Sequence, residues 1–205
     1  MSHHGVTSVI FDLGGVLIDW NPRYLYRQLI ADEVVMEQFL ADVCSPEWNA
    51  RLDAGHSWAD EIESLAARHP EQRELIVAYR ARWSEMVAGA IDETVQVLAE
   101  LRRRPVGLYA LSNWSAETFP LARERFDFLG WFDGILLSGE IGICKPDPRI
   151  FRQLIERYGL EPARTVFVDD LLRNVEAADQ QGMAALQFRN AAELRSELVR
   201  LGLLK

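Results

Sequence analysis

Cysteine is scarce in this chain: Cys44 and Cys144 lie about half its length apart, without CxxC spacing. That excludes a disulfide framework and a thiolate zinc knuckle, and it suits a reducing cytoplasm. Long apolar runs are missing. No stretch reaches the 18 apolar residues that would suggest a membrane-spanning helix. Basic charge is in deficit, with 22 Lys and Arg against 31 Asp and Glu, a net charge of −9 and a pI near 5.0. Such a balance opposes binding to nucleic acid or to anionic lipid. The opening MSHHGVTSVIFD has neither a basic flank nor a small-residue cleavage site, so the expected location is cytoplasmic. His3 and His4 are read as solvated residues rather than metal ligands. Lysine is as rare as cysteine: Lys145 and Lys205 stand against twenty arginines.

The chain has 205 residues, 49% of them apolar and 10% aromatic, enough to build a core in one domain with a small appendage. Five short apolar runs read as strands: VTSVIF before Asp12, VGLYALS to Ser112, GILLS to Ser138, TVFV before Asp169 and MAALQF to Phe188. Between the later ones, and after the last, helical periodicity appears at 148–158, 171–181 and 191–201. Strand followed by helix, repeated, predicts an α/β fold with a doubly wound, Rossmann-like parallel sheet.

The first interval breaks that rhythm, because the hundred residues from Asp12 to Ser112 contain no convincing strand. They predict successive helices at about 22–30, 33–43, 47–54, 58–68, 71–87 and 93–103, with start signals at Asp32, Ser45-Pro46, Ser57 and Asp92. The last belongs to the sheet layer. The division expected is a catalytic core of 1–17 and 91–205 with a small all-helical cap at 18–90, inserted after strand 1. The insertion leaves from a strand's carboxyl end, where open α/β sheets bind their ligands, so it is placed as a lid.

The residues at the strand ends are Asp12, Ser112-Asn113, Lys145 and Asp169-Asp170. Asp12 precedes Leu13-Gly14-Gly15, a turn whose amide groups suit an anion. Ser112 and Asn113 offer a hydroxyl and amides to phosphate oxygens, although both are ordinary turn formers. Lys145 is set in a rigid KPDP turn in a chain that otherwise uses arginine, which points to a need for a compact point charge. Asp169 and Asp170 would repel each other unless a cation or hydrogen-bond donors sat between them and Asp12; a hard, oxygen-seeking ion such as Mg²⁺ fits, with Asn174 steadying a carboxylate or Lys145. Together these groups describe phosphoryl transfer, with Asp12 attacking in line and forming an aspartyl phosphate that water hydrolyses.

The segments FDLGGVL, LSN, KPDP and VFVDDLLRN, in that order, resemble the four motifs of the haloacid dehalogenase superfamily. FDLGGVLID and ALSNWSAETF are most similar to the group containing bacterial alpha-glucose-1-phosphate phosphatase, in subfamily I with a helical cap. The resemblance implies a five-stranded sheet of order 5-4-1-2-3, with Asp12 on the central strand. It implies Asp12 as nucleophile, with Lys145 beside it. Leu13, Gly14, Ser112, Asn113 and Lys145 would hold the phosphoryl group. Mg²⁺ would be bound by Asp12, the Gly14 carbonyl and Asp170, with Asp169 in or near the outer shell. Many phosphatases of the superfamily carry a general acid two residues after the nucleophile, where this chain has Gly14. Asp19 is a weak substitute. Trp20, Arg23, Trp48, His56 and Trp58 are the candidates for the cap's floor, with Trp114 approaching from the sheet.

The expected substrate is a small phosphate ester, with a sugar phosphate the leading example, and the expected state is a monomer or weak homodimer. Two rival readings remain at this point. One is a metal-independent 2-haloacid dehalogenase, against which the paired acids Asp169 and Asp170 speak. The other is a phosphate-ester-binding regulatory protein that has lost turnover along with the acid at position 14.

Overall fold

The computed structural model describes residues 5–205, so His3 and His4 lie outside the described residues. Seven strands are present: β1 (Ser8–Phe11), β2 (Ile18–Trp20), β3 (Val87–Ala90), β4 (Gly107–Ser112), β5 (Gly134–Leu137), β6 (Thr165–Asp169) and β7 (Ala184–Gln187). Five of them form a parallel sheet in the order β5-β4-β1-β6-β7. All four residues of β1 and all five of β6 are buried, as their unbroken apolar runs require of strands covered on both faces.

Side chains alternate across the sheet and divide the core in two. Val9, Phe11, Val166 and Val168 join one apolar cluster, and Ile10, Phe167, Leu111 and Leu136 join the other. Helices α9 (Pro148–Tyr158) and α10 (Leu172–Asp179) cover the second face through Phe151, Leu154 and Ala178. The first face is covered by α6 (Asp92–Leu101) and α11 (Ala191–Arg200) through Leu98 and Leu198. Each large side chain so buried contributes about 1.5–3 kcal/mol.

The order expected from sequence, 5-4-1-2-3, does not stand as a label. It counts five strands, whereas β2 and β3 also enter the numbering and form a separate antiparallel hairpin, Ile18 opposite Ala90 and Trp20 opposite Val87. The expectation of no strand between Asp12 and Ser112 is corrected by the same pair. Strands of three and four residues show no alternation, and Val87-Ala88-Gly89-Ala90 reads as the tail of a helix.

Between the hairpin strands run α1 (Arg23–Leu29), α2 (Glu33–Asp42), α3 (Pro46–Asp53), α4 (Trp58–Arg68) and α5 (Arg73–Ala81). Three of these starts are capped by the side chains the sequence indicated: Asp32 accepts from the amides of Val34 and Val35, Ser45 from Trp48 and Ser57 from Asp60. Asp92 instead opens α6 as its first residue, behind Ile91, which makes no side-chain cap. The expected helix 71–87 is shorter, because Trp83–Met86 turns as a 3₁₀ segment that delivers Val87 into the hairpin. Two further short helices, α7 (Phe119–Arg125) and α8 (Ser138–Ile141), follow β4 and β5.

The helices between β2 and β3 lie against the carboxyl end of the sheet. Trp58 Nε1 donates to Ser115 Oγ at 2.8 Å, the Trp58 amide to Glu117 at 3.2 Å, and Ser138 Oγ to the Asp53 carbonyl. Gly55, with φ +86°, permits this approach: a Cβ there would stand 2.7 Å from the Gly139 carbonyl oxygen.

Candidate active site

Parallel strands bring their carboxyl ends to one edge, so Asp12 after β1, Ser112 ending β4 and Asp169 ending β6 are neighbours in space. Lys145 reaches them from the loop between β5 and α9, where Asp147 accepts from the Arg149 amide and Pro148 starts the helix. Its ammonium lies 2.7 Å from Asp169 Oδ2, 3.0 Å from Asp12 Oδ1 and 2.8 Å from the Leu111 carbonyl oxygen. Lys145 is 3% exposed, Asp12 7% and Asp169 0%.

Three donors converge on Asp12 Oδ1: the Leu13 amide at 2.7 Å, Ser112 Oγ at 3.0 Å and Lys145 Nζ. Among the described residues none is found on Oδ2, so one oxygen of this carboxylate is anchored and the other is open. Burial pushes the Asp12 carboxyl up to about 7; Lys145 opposes this, and Asp169 adds to it. Burial also works against the charged form of Lys145, but Asp12 and Asp169 outweigh it and raise its pKa.

Both oxygens of Asp169 are engaged, Oδ1 by the Leu171 amide and Asn174 Nδ2, Oδ2 by Lys145 and Asn174 Nδ2. Asn174 therefore meets its expected role of steadying a carboxylate. Asp170 differs from its neighbour: among the described residues no side chain donates to its carboxylate, which is partly exposed and raised by burial first and by Asp169 second. One carboxylate oxygen each from Asp12, Asp169 and Asp170 lie within 4.8 Å of one another. An all-oxygen set of three carboxylates against one ammonium suits a hard divalent cation.

The side chain of Asn113, for which the sequence suggested no part, binds the Lys145 backbone. Its Oδ1 accepts from the Lys145 amide at 2.7 Å and its Nδ2 donates to the Lys145 carbonyl at 3.0 Å, which fixes the lysine loop. The Trp114 amide is spent on Ser138 Oγ. In the loop after Asp12 the Leu13 amide serves Asp12 and that of Gly15 the Ile18 carbonyl, leaving the Gly14 amide without an intramolecular acceptor among the described residues.

Above this edge is a cavity of about 110 Å³ that reaches Gly14 and Asn113. Trp20, Trp58, Trp83 and Trp114 supply its aromatic walls, and Asn49, Asp53 and Thr118 its remaining polar groups. The expected Trp20, Trp58 and Trp114 are thus placed. Trp48 is core, edge-on to Tyr79 at 5.1 Å. Arg23 pairs with Glu37, His56 with Glu61, and Asp19 accepts from Tyr24 Oη; none of them lines the cavity. The sequence reading missed Asn49, Asp53, Trp83 and Thr118. Asp53 had one available signal: an acidic residue closing a helix sits against the negative end of the helix dipole.

A family model described as haloacid dehalogenase-like hydrolase matches residues 6–182. The chain is 28% identical over 194 residues to the sesquiterpene phosphatase astK of Aspergillus oryzae, covering 95% of each. It is 23% identical to a D-ribitol-5-phosphate phosphatase of Bacteroides thetaiotaomicron, covering 94% of this chain and 97% of that one. Its fold matches a HAD family enzyme from Bacteroides thetaiotaomicron, solved with magnesium and inorganic phosphate, with a TM-score of 0.70, 22% identity and coverage of 91% and 96%. The order of the strands, the acids and lysine at their ends, and a family match over most of the chain agree: this protein belongs to the haloacid dehalogenase-like hydrolases.

Proposed function

We propose that the chain is a Mg²⁺-dependent phosphatase that hydrolyses a small phosphate monoester of a neutral alcohol through an aspartyl phosphate on Asp12. The observation that carries this reading is the arrangement at the strand ends: Lys145 bridges Asp12 and Asp169, one Asp12 oxygen is open, and Asp170 faces the same space without a side-chain partner. Asp12 Oδ2 attacks phosphorus while Oδ1 stays fixed by Leu13 and Lys145. The Gly14 amide holds a phosphoryl oxygen, Ser112 joins it when its single proton turns from Asp12 to the phosphate, the ammonium of Lys145 supplies counter-charge, and Asn113 keeps the lysine loop in register. Asp12, Asp170 and the Gly14 carbonyl would hold Mg²⁺, whose bound charge offsets that of the phosphate dianion. Asp169, saturated by its own donors, orients Lys145.

Segment 18–90 acts as the cap that selects the alcohol. Among the residues lining the cavity none is Lys or Arg, while four are Trp. This favours an ester with a single phosphate and an uncharged organic part, such as the sugar phosphates handled by the alpha-glucose-1-phosphate phosphatase group. The stacking walls also favour isoprenoid monophosphates, in line with the name of the Aspergillus relative. An unpaired Asp170 carboxylate disfavours a metal-independent dehalogenase. Among the described residues no helix is long and apolar enough to cross a membrane, and both cysteines are free, which supports placing the enzyme in the cytoplasm.

The test is a panel of sugar phosphates, prenyl phosphates, nucleotides and phosphoglycolate, assayed with Mg²⁺ and with EDTA. Turnover of neutral monoesters should vanish in EDTA, return with Mg²⁺ and be abolished by Asp12→Asn. Full turnover in chelator, or by Asp12→Asn, overturns the reading.

A further inference from the structure

We propose that Asp53, the last residue of α3, is the general acid and base of this enzyme, supplied by the helical segment in place of the side chain that Gly14 lacks. The inference rests on the phosphatase reading above.

The cavity extends from Gly14 to Asp53. A Cβ built on Gly14 would meet nothing within 4 Å, so that side of the cavity is open, and Asp53 is the one carboxylic acid among the residues lining it. Its position is set in advance. Asn49 Nδ2 donates to Asp53 Oδ2 at 2.8 Å, and Tyr79 Oη donates to Asn49 Oδ1 at 3.0 Å, which turns the Asn49 amide toward Asp53. The Asp53 carbonyl accepts from Oγ of Ser138, the first residue of α8.

The environment also provides the proton. Burial, then the charge of Asp12, pushes the Asp53 carboxyl up to about 8, against the hydrogen bonds from Ser115 and Asn49. No hydrogen bond joins it to Asp12, Gly14 or Asp170. The helix C-terminus adds partial negative charge that further favours the neutral acid.

In the first step Asp12 Oδ2 forms a bond to phosphorus, the bond from phosphorus to the alcohol oxygen breaks, and the Asp53 proton passes to that oxygen. The products are the alcohol, the aspartyl phosphate and the Asp53 carboxylate. In the second step water adds to phosphorus and gives a proton back to Asp53, the bond to Asp12 breaks, and hydrogen phosphate leaves.

The test compares two esters in wild type and in Asp53→Asn, with Mg²⁺ present: an alkyl phosphate accepted by the wild type and p-nitrophenyl phosphate, whose acidic phenol departs without a proton. In Asp53→Asn, kcat/KM for the alkyl ester should fall about 10²–10⁴-fold. For the nitrophenyl ester kcat/KM should hold within about threefold while kcat drops, with a burst of nitrophenol equal to the enzyme concentration, because hydrolysis of the aspartyl phosphate has lost its base. Asp53→Glu, which keeps a proton to give, should retain more alkyl-ester activity than Asp53→Asn. Should Asp53→Asn fail to fold, Asp53→Ser serves in the same comparison. Equal losses of kcat/KM on both esters, with no burst, mean that Asp53 only shapes the cavity and overturn the proposal. Wild type inert toward both esters overturns the phosphatase reading instead.

Discussion

Replacing Lys145 by Met removes the one ammonium between two buried carboxylates and keeps most of the side chain's volume. At the observed 2.7 and 3.0 Å, each lost attraction is about 6 kcal/mol at an effective dielectric near 20. Part of that was already offset by the cost of burying the lysine itself. Breaking one partner out of a buried ion pair costs about 3–5 kcal/mol net, because the remaining charges stay buried and unpaired. Here the protein has a means of relief in Asp12, whose carboxyl already lies near 7, well above the ordinary value of 3.8, and rises further once Lys145 is gone. With a folded pKa above the unfolded one, the native state binds the extra proton between the two values. Stability therefore falls as pH rises through that window and levels off above it. Urea unfolding in EDTA should show Lys145→Met less stable than wild type by about 3–5 kcal/mol at pH 8, and by clearly less at pH 5. A loss under about 1 kcal/mol at pH 8, or a larger loss at pH 5, would refute the assignment of Lys145 as counter-charge to both acids.

Gly15→Ala tests the cation site without touching a ligand. At φ +73° a side chain is strained, and its Cβ would stand 2.7 Å from Asp170 Oδ2, so Mg²⁺ affinity measured by calorimetry should weaken about tenfold or more; unchanged affinity contradicts the placement of Asp170. Thr94 on α6 buries a hydroxyl with no partner found among the described residues, so Thr94→Val should leave stability unchanged or raise it by up to about 1 kcal/mol in thermal unfolding. A loss above that size would mean the hydroxyl is bound after all.

The five core strands were legible because each is a nearly unbroken apolar run, and four of them end at a residue that burial alone does not call for. The chemistry was legible for the same reason. Asp12 and Asp169 are charged residues at the ends of apolar stretches, and Lys145, in the loop after β5, stands out against twenty arginines. The hairpin of β2 and β3 was not legible, since its identity lies in long-range pairing across some 70 residues and not in local periodicity. In sequence Asn113 is a turn former with an amide to offer phosphate. Its reciprocal bonds to Lys145 depend on where β4 and the lysine loop meet, which no local pattern encodes. Asp53 was hidden in part the same way: Asn49 lies one turn earlier on α3, but Tyr79, which orients Asn49, and Ser138 come from two other elements.

The charges at the sheet edge explain why so much of the site is given to holding side chains and so little to touching substrate. Three carboxyl groups share the edge with one ammonium, and an incoming phosphate dianion brings two more negative charges to the same few ångströms. Each like-charge pair 4 Å apart costs about 4 kcal/mol at an effective dielectric near 20, so the ester has no favourable place there until a divalent cation balances the acids. A second acid two residues after Asp12 would add to that excess whenever it ionised. On the proposed mechanism, a proton carried by Asp53 at the end of a helix adds no acid to the loop at Gly14, where Asp12 and Asp170 would hold the cation.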